Sequence, residues 1–238
     1  MGAQLQGQEK SDYVQDMFGR IAERYNLMNR VMTAGQDQRW RRFVIKKAQL
    51  PENGLMLDLA TGTGDIAFEA LKAVPSLRVV GGDFALPMMV VGQHQKQGDE
   101  VMWCGADAMN LPFPDDSFDA ITSGYLVRNV IDIDQTLREQ MRILKPGGRL
   151  VILDTSPPPR SIMQPFIKLH LKYGIPFLGR LLAGKEGSDA YQYLPESTQA
   201  FKTPDELATL MRKAGIQNVD YHTFMFGTMA VHWGEKPT

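Results

Sequence analysis

The chain has 238 residues, 43% of them hydrophobic, and 26 Lys and Arg residues nearly balance 27 Asp and Glu residues to give a net charge of −1. A chain of this length can bury a full core in one α/β domain without a disulfide or a structural metal. The balanced charge gives no field that would attract a polyanion, so we expect no nucleic-acid partner. The single cysteine, Cys104, excludes an intrachain disulfide, and the four scattered histidines predict no metal site.

The first ten residues are polar and rich in glutamine, and they contain no apolar segment of the kind that a secretory signal needs. Nowhere does an apolar stretch approach the roughly 20 residues that cross a bilayer as a helix. We therefore expect a cytoplasmic protein without a membrane-spanning helix.

Apolar runs alternate with segments of helical period after residue 50, which is typical of repeated β-α units and a parallel sheet. Before this region, residues 11–50 are predicted to form two helices. The predicted strands of the alternation are residues 55–60, 77–82, 100–103, 118–123 and 149–153. The predicted helices are residues 65–73, about 87–97, and 133–144. A Lys-Pro-Gly-Gly turn at 145–148 precedes the fifth strand.

The chain closes with a capped helix and two more strands. Thr203 is the predicted N-cap of the helix, Pro204 is its first residue, and Glu206 completes a capping box. Residues 216–224 and 228–234 predict an antiparallel hairpin, which brings the sheet to seven strands. This α/β pattern, a doubly wound seven-stranded sheet with an antiparallel C-terminal hairpin, resembles the class I S-adenosylmethionine-dependent methyltransferase fold.

We divide the chain into an N-terminal helical region, residues 1–50, and a methyltransferase domain, residues 51–238. A long insertion of about residues 157–202 separates the fifth strand from the capped helix. Both the N-terminal region and the insertion lie where they can cover the carboxyl ends of the strands, the edge at which open α/β sheets bind ligands. We therefore predict that they serve as a lid and bind substrate.

A glycine-rich turn follows the first strand, in the sequence from Asp58 to Asp65. Gly62 and Gly64 permit a ligand to approach the backbone closely. The same turn fits the loose dinucleotide pattern G-x-G-x-x-A, with Asp83 as the ribose acceptor. Carboxylates beside the turn would repel a pyrophosphate, whereas they can bind the ammonium, sulfonium and ribose hydroxyls of S-adenosylmethionine. We therefore favour S-adenosylmethionine over a dinucleotide.

A second acidic position follows the short third strand. Asp107 and Ala108 lie there at the same sheet edge as Gly64 and Asp83. An acidic side chain at this point can accept a hydrogen bond from the exocyclic amine of adenine. The alternative is that Asp107 only caps a turn.

Several segments resemble the ubiquinone/menaquinone biosynthesis C-methyltransferase family, and the resemblance runs from about Val14 to Pro237. The segments at 58–65 and 145–148 are shared widely among methyltransferases. The segments specific to the family are Tyr-Asn-Leu-Met-Asn at 25–29, Arg-Asn-Val at 128–130 and Tyr-Gln-Tyr-Leu-Pro-Glu-Ser at 191–197. The remaining matches are residues 111–113 and 230–234.

The resemblance implies S-adenosylmethionine as the cofactor and a polyprenylated quinol, such as demethylmenaquinol, as the methyl acceptor. The positions that it implies for cofactor contact are Thr63, Asp83, Asp107 and Ala108. The polar residues that it places beside the quinol ring are Arg128 and Asn129. The residues that it places over the substrate pocket are Tyr25, Tyr191 and Tyr193.

Three positions depart from the family pattern, and all of them border the expected pocket. Tyr125-Leu126-Val127 stands where the family has an aromatic residue, Gly and Leu, so Leu126 adds a branched side chain. Asp154 replaces a glutamate, and Phe84 replaces an isoleucine. We assign Tyr125 and Leu126 to the substrate pocket and Phe84 to the cofactor site. The departures leave open which ring is methylated, and at which carbon.

Methylation of an aromatic carbon requires electron density, which a quinol supplies best when a hydroxyl is ionised. A phenol with a pKa of about 10 is ionised in only about one molecule per thousand at pH 7. Arg128 is the predicted cation that lowers this pKa, although a guanidinium does not accept a proton. The predicted proton acceptor is a water held by Arg128 and Asn129, or else His232. The alternative for His232 is a hydrogen-bonded core residue.

A polyprenyl quinol resides in the bilayer, so we expect peripheral contact with the inner face of the membrane. Residues 39–47 and 162–182 combine basic and apolar side chains and are candidate contacts. For residues 39–47, an amphipathic helix packed on the domain is an equal alternative. The competing functions are methylation of another small phenolic or lipid substrate, and S-adenosylmethionine binding without catalysis in a partner protein. A homodimer is left open.

Overall fold

The computed structural model describes residues 5–159, 164, 169, 173–174 and 188–238, with the backbone alone for residues 188–192 and 194. The strands are β1 (Leu55–Leu59), β2 (Arg78–Asp83), β3 (Val101–Gly105), β4 (Phe118–Gly124), β5 (Leu144–Thr155), β6 (Gln217–Phe224) and β7 (Met229–Glu235). The helices are α1 (Gly7–Ile21), α2 (Tyr25–Met32), α3 (Asp37–Ala48), α4 (Asp65–Ala73), α5 (Leu86–Gln93), α6 (Ile133–Ile143), α7 (Ser188–Ala200) and α8 (Pro204–Lys213).

All seven strands join one sheet in the order β3-β2-β1-β4-β5-β7-β6. Strands β1 to β5 are parallel, whereas β7 is antiparallel to both β5 and β6. The sheet order reverses at β1, so the chain winds outward to β3 on one side and to β5 on the other. The predicted doubly wound sheet with an antiparallel C-terminal hairpin is confirmed, and its carboxyl edge beside β1 and β4 is the expected ligand site.

The central strands are apolar because helices cover both faces of the sheet. On β1, Met56 belongs to the core that contains Trp40 and Phe68 of α3 and α4. Its neighbour Leu57 belongs to the core on the other face, which contains Leu137 and Leu207 of α6 and α8. A parallel strand buried in this way reads as a continuous apolar run, which is why β1 could be predicted from sequence.

The N-terminal region contains three α-helices, so the predicted number of two is wrong. A single 3-10 turn, Ala22–Arg24, separates α1 from α2. Gly35 adopts a positive φ of 76° in the turn before α3, and the Thr33 hydroxyl accepts a hydrogen bond from the Asp37 N–H at 3.3 Å. Interruptions of one turn leave the apolar period almost intact, so the pattern does not reveal them.

The predicted start of the fifth strand is also wrong. Strand β5 begins at Leu144, which pairs with Phe118 before the Pro-Gly-Gly turn, and pairing resumes after a register shift where Ala120 meets Arg149. The turn is thus a bulge within the strand. At α8, by contrast, the predicted capping box between Thr203 and Glu206 is confirmed.

Among the described residues, no helix is both long and apolar enough to cross a bilayer. The same part of the chain holds no cluster of three or more His, Cys, Asp or Glu side chains that could bind a metal ion.

Candidate active site

Two adjoining cavities open at the carboxyl ends of β1, β2 and β4. The aromatic cavity is lined by Val14, Phe18, Tyr25, Ala60, Gly62, Asp83, Phe84, Ala85, Met88, Gly124, Tyr125, Leu126 and Asn129. The polar cavity is lined by Gln8, Ser11, Gln15, Leu59, Ala60, Asp83, Phe84, Ala106, Asp107, Ala108, Met109, Leu126, Asn129, Val130 and Ile131. The shared residues, which include Asp83, Leu126 and Asn129, form the boundary between the two cavities.

The turn between β1 and α4 requires glycine. Gly62 and Gly64 have positive φ values of 56° and 84°. A Cβ atom added to Gly64 would lie 2.8 Å from ring atoms of Phe68 and Trp103, which is too close for any side chain. At Gly64 the turn therefore packs against Phe68 and Trp103, whereas Gly62 faces the aromatic cavity.

Asp83, at the end of β2, joins two turns of the site. One carboxylate oxygen accepts a hydrogen bond from the Gly62 N–H at 2.7 Å, and the other accepts one from the Ala85 N–H at 2.8 Å. Burial raises the pKa of this carboxyl, against the lowering effect of the backbone N–H groups of Ala85, Gly62 and Phe84. The residue lines both cavities, and the two oxygens of a carboxylate offer about four lone-pair sites, so Asp83 can accept a further hydrogen bond from a ligand.

Asp58 does not line either cavity, in contrast to our prediction. Its two oxygens accept hydrogen bonds from the hydroxyls of Thr61 and Thr122, each at 2.8 Å. The side chain is therefore held below the glycine turn, between β1 and β4. Burial raises the pKa of Asp58 to about 7, although the two hydroxyls oppose the shift. The structure makes Asp58 a support of the turn instead of a direct ligand contact.

Thr63 connects the glycine turn to the N-terminal helices. Its hydroxyl lies 2.8 Å from the Asn26 side-chain oxygen and 3.2 Å from the Asp65 carboxylate. Arg41 of α3 forms ion pairs with Asp65 at 3.1 Å and with Asp37 at 3.2 Å. The family-specific segment at 25–29 thus contacts the turn. Thr63 itself is buried and lines neither cavity.

Asp107, Ala108 and Phe84 come together in the polar cavity, as predicted. One oxygen of Asp107 accepts a hydrogen bond from the Met109 N–H at 2.9 Å, so the residue does cap a turn. The second oxygen is not engaged by that bond. Capping and ligand binding are therefore compatible at Asp107.

The charge of the cavity walls distinguishes the two candidate cofactors. Among the described lining residues, the only charged side chains are Asp83 and Asp107. Two carboxylates fit the sulfonium, ribose hydroxyls and adenine amine of S-adenosylmethionine, and they would repel the pyrophosphate of a dinucleotide. The residues present fit S-adenosylmethionine and favour it over the dinucleotide alternative.

Tyr25, Tyr125, Leu126 and Asn129 meet in the aromatic cavity. Tyr125 follows β4 with a positive φ of 63°, which is uncommon for a bulky residue. Its N–H donates to the Leu153 carbonyl at 2.8 Å, and its carbonyl accepts from the Asn129 amide at 2.7 Å. These bonds hold a strained residue in place at the site.

Arg128 stands behind this wall and does not line either of the two cavities. Its guanidinium pairs with Asp154 at 3.0 Å and donates to the Thr155 hydroxyl at 3.2 Å. The ring of Tyr125 lies 4.9 Å from the guanidinium carbon. Burial raises the pKa of Asp154, and the Arg128 guanidinium opposes that shift. The predicted cation is thus one half of a buried ion pair, and this pairing weakens its field in the cavity.

Asn129 is oriented by a residue of the insertion. The Tyr193 hydroxyl donates to the Asn129 side-chain oxygen at 2.8 Å, and Tyr193 is itself buried against Val14 and Met17 of α1. Burial raises the pKa of Tyr193 to about 12, so it remains a donor at neutral pH. The side chain of Tyr191 lies outside the described residues.

His232 lines neither of the two cavities. It lies on β7, where Ile152 of β5 and Tyr221 of β6 are its pairing partners. Its Nε2 lies 2.9 Å from the Pro204 carbonyl, at the start of α8. Burial lowers the pKa of His232 to about 4, so it accepts protons poorly at neutral pH. The alternative of a hydrogen-bonded core histidine is the one that the structure supports.

The sequence predicted a lid in the N-terminal region but did not single out the residues of α1 that line the cavities. Gln8, Ser11 and Gln15 line the polar cavity, whereas Val14 and Phe18 line the aromatic cavity. The spacing of 3, 4 and 7 residues among these positions is the available signal, because it places them on neighbouring stripes of one helix. Helix α1 thus covers both cavities.

Comparison with known proteins identifies the family of this chain. The model of the ubiE/COQ5 methyltransferase family matches residues 6–236. A ubiquinone/menaquinone biosynthesis C-methyltransferase UbiE of Desulfotalea psychrophila is 50% identical over 227 residues, which cover 95% of this chain and 92% of that protein. A demethylmenaquinone methyltransferase of Thermus thermophilus is 43% identical over 223 residues, which cover 93% and 100%. A solved methyltransferase structure from Thermotoga maritima shares the fold, with a TM-score of 0.63, 24% identity, and coverage of 93% and 98%.

The buried carboxyl of Asp58 should make the free energy of unfolding depend on pH. Burial raises the pKa of Asp58 from the ordinary carboxyl value of 3.8 to about 7 in the folded protein, so the folded state binds its proton more tightly. That contribution to stability is fully present below about pH 4 and is lost as the pH rises to about 7. We expect the free energy of unfolding of wild type, relative to Asp58→Asn, to fall on the order of 4 kcal/mol over this range.

Urea unfolding at a series of pH values measures this difference, with Asp99→Asn at an exposed position as the matched control. A difference between wild type and Asp58→Asn that does not change with pH contradicts the prediction.

Proposed function

The chain belongs to the ubiE/COQ5 methyltransferase family, and we propose that it methylates a ring carbon of a polyprenylated quinol at the two cavities. Members of this family are S-adenosylmethionine-dependent methyltransferases, and this protein is one of them. The names of the relatives from Desulfotalea psychrophila and Thermus thermophilus support an acceptor of the demethylmenaquinol type.

The observation that carries the proposal is the junction of an acidic and an aromatic cavity at Leu126 and Asn129. When bound, S-adenosylmethionine supplies a methyl group on a sulfonium, which an electron-rich carbon can take. We assign the ribose hydroxyls to Asp83 and the adenine to Asp107 and Ala108. The aromatic cavity then receives the quinol ring.

Asn129 would position the acceptor ring. Its side-chain oxygen accepts from Tyr193, and one amide hydrogen is donated to the Tyr125 carbonyl. Among the described residues, the second amide hydrogen has no such partner, so it can be donated to an oxygen of the quinol. A fixed donor at this point orients the ring before reaction, which is an effective way to lower the barrier of a two-substrate step.

The tyrosines around the cavity are donors and do not serve as the base. Burial raises the pKa of Tyr25, Tyr125 and Tyr193 above the usual value for phenols. Arg128 stays protonated and is paired with Asp154. We therefore retain a water held near Arg128 and Asn129 as the acceptor of the quinol proton.

The apolar walls favour the reaction itself. Charge disappears when a phenolate attacks a sulfonium, so excluding water from the transition state is favourable. Val14, Phe18, Phe84 and Met88 supply such walls in the aromatic cavity. Two of these side chains come from α1, so α1 and the N-terminal region, 1–50, would act as the lid that keeps the cavity dry.

Leu126 limits the size of the acceptor. Its side chain is buried and lines both cavities, so it narrows the passage between them. The family pattern has a glycine here, which would leave more room. This feature favours, as a second candidate, methylation of a different small phenolic or lipid acceptor by the same residues.

We propose that the protein is cytoplasmic and meets the membrane through α2. Leu27 and Val31 are 59% and 39% exposed, one turn apart on this helix, and Arg24 and Arg30 beside them are exposed as well. On the same helix, Asn26 contacts Thr63 at the glycine turn. An apolar stripe flanked by arginines is the composition expected at an anionic bilayer surface.

The earlier candidate segments require revision. Trp40, Val44 and Ile45 of residues 39–47 pack in the core, which supports the equal alternative of an amphipathic helix packed on the domain. Most of residues 162–182 lie outside the described residues. Leu169 and Tyr173, which are described, are 59% and 58% exposed and are compatible with membrane contact.

The function is tested by incubating the protein with S-adenosylmethionine and a reduced, short-tailed demethylmenaquinone, followed by mass spectrometry. We expect the quinol to gain the mass of one CH₂ unit. Asp83→Ala should raise the KM for S-adenosylmethionine roughly 100-fold, because the charge-assisted hydrogen bonds between this carboxylate and the two ribose hydroxyls are lost. Asp99→Ala, at an exposed position, is the matched control.

Cofactor binding without methylation of this quinol would refute the proposed acceptor. In that case, methylation of a smaller phenol would support the second candidate, and the absence of any turnover would support the non-catalytic alternative.

Membrane contact is tested by co-sedimentation with vesicles of phosphatidylglycerol and phosphatidylcholine. Leu27→Gln should weaken binding roughly tenfold, because a leucine side chain no longer enters the interface. Met102→Gln on the edge strand β3, which removes a side chain of similar exposure, is the control. Equal binding by the two variants would exclude α2 as the contact.

A further inference from the structure

Lys10 connects α1 to the loop that carries the ring-side residues. Its ammonium donates to the Arg128 carbonyl and to the Val130 carbonyl, each at 3.0 Å. These two carbonyls flank Asn129, and they are 118 and 120 residues away from Lys10 in sequence. One flexible side chain thus fixes both neighbours of the residue that would hold the quinol.

A second side chain fastens the same helix to the opposite wall. The Gln15 amide donates to the Phe84 carbonyl at 2.7 Å, directly after β2. Lys10 therefore reaches the β4 side of the site and Gln15 reaches the β2 side. On the same helix, Gln8, Ser11 and Gln15 line the polar cavity. Helix α1 therefore covers the polar cavity and is hydrogen-bonded on both of its sides.

Lys10 is partly buried where it contacts the loop. Burial lowers the pKa of Lys10, the Arg128 guanidinium lowers it further, and Asp154 opposes them. A lysine free in solvent would not experience these effects. The ammonium remains in this position because two carbonyl oxygens replace part of its hydration.

We propose that Lys10 is a positioning residue that closes α1 over the cofactor and holds the loop of residues 128–130 in its working conformation. Cofactor exchange then requires Lys10 to leave the two carbonyls, so that α1 can lift from the polar cavity. The proposal rests on the polar cavity being the cofactor site and is independent of which acceptor is methylated.

The test uses the full chain with S-adenosylhomocysteine, so no quinol is needed. Lys10→Met keeps the length of the side chain and removes its donors, and Lys213→Met removes an equal charge from an exposed pair with Asp134. We expect S-adenosylhomocysteine to dissociate about tenfold faster from Lys10→Met in a stopped-flow displacement experiment, because charge-assisted hydrogen bonds that close the helix are lost. Lys213→Met should match wild type.

Two further readouts separate positioning from general destabilisation. Hydrogen exchange should accelerate in α1 and in residues 128–130 of Lys10→Met and stay unchanged in the central strands. Lys10→Arg, which keeps the charged donors, should restore slow dissociation. An unchanged dissociation rate in Lys10→Met, or an equal rise in exchange across the whole sheet, would overturn the proposal.

Discussion

The site depends on the way one carboxylate, Asp83, joins the turns that follow two neighbouring parallel strands. Parallel strands leave backbone N–H groups unpaired where the chain turns into a helix. Asp83 accepts one from Gly62 after β1 and another from Ala85 after β2. The same carboxylate lines both cavities, so the group that shapes the protein at this edge is also the one that can hold the ribose.

Other contacts secure this arrangement from below and above. Asp58 supports the glycine turn through Thr61 and Thr122. Asn26 meets Thr63 from the N-terminal helices, and α1 lies across the cavities. The rigid part of the site is therefore the sheet edge, and the part that must move to admit a ligand is the helical cover. This division suits an enzyme that exchanges a polar cofactor and has to exclude water during the reaction.

Local patterns in the sequence sufficed for the parts of the site that depend on local structure. The buried run at β1, the two glycines after it and the capping box at Thr203 each reflect the needs of a few consecutive residues. Contacts across the chain could not be inferred in that way: Lys10 meets the loop at Arg128, and Asp154 neutralises Arg128 from another strand. His232 failed as a candidate for the same reason, because its sequence motif does not show which side of the sheet its ring occupies.

The proposed reaction transfers the methyl group to a ring carbon of the quinol. It is tested most directly by carbon NMR of the product formed from S-adenosylmethionine labelled with ¹³C in its methyl group and a reduced short-tailed demethylmenaquinone. If Asn129 holds the quinol ring in the aromatic cavity, a ring carbon faces the sulfonium. We therefore expect the labelled methyl group to be bonded to a ring carbon. A label found on oxygen, as an ether of the quinol, would contradict this account.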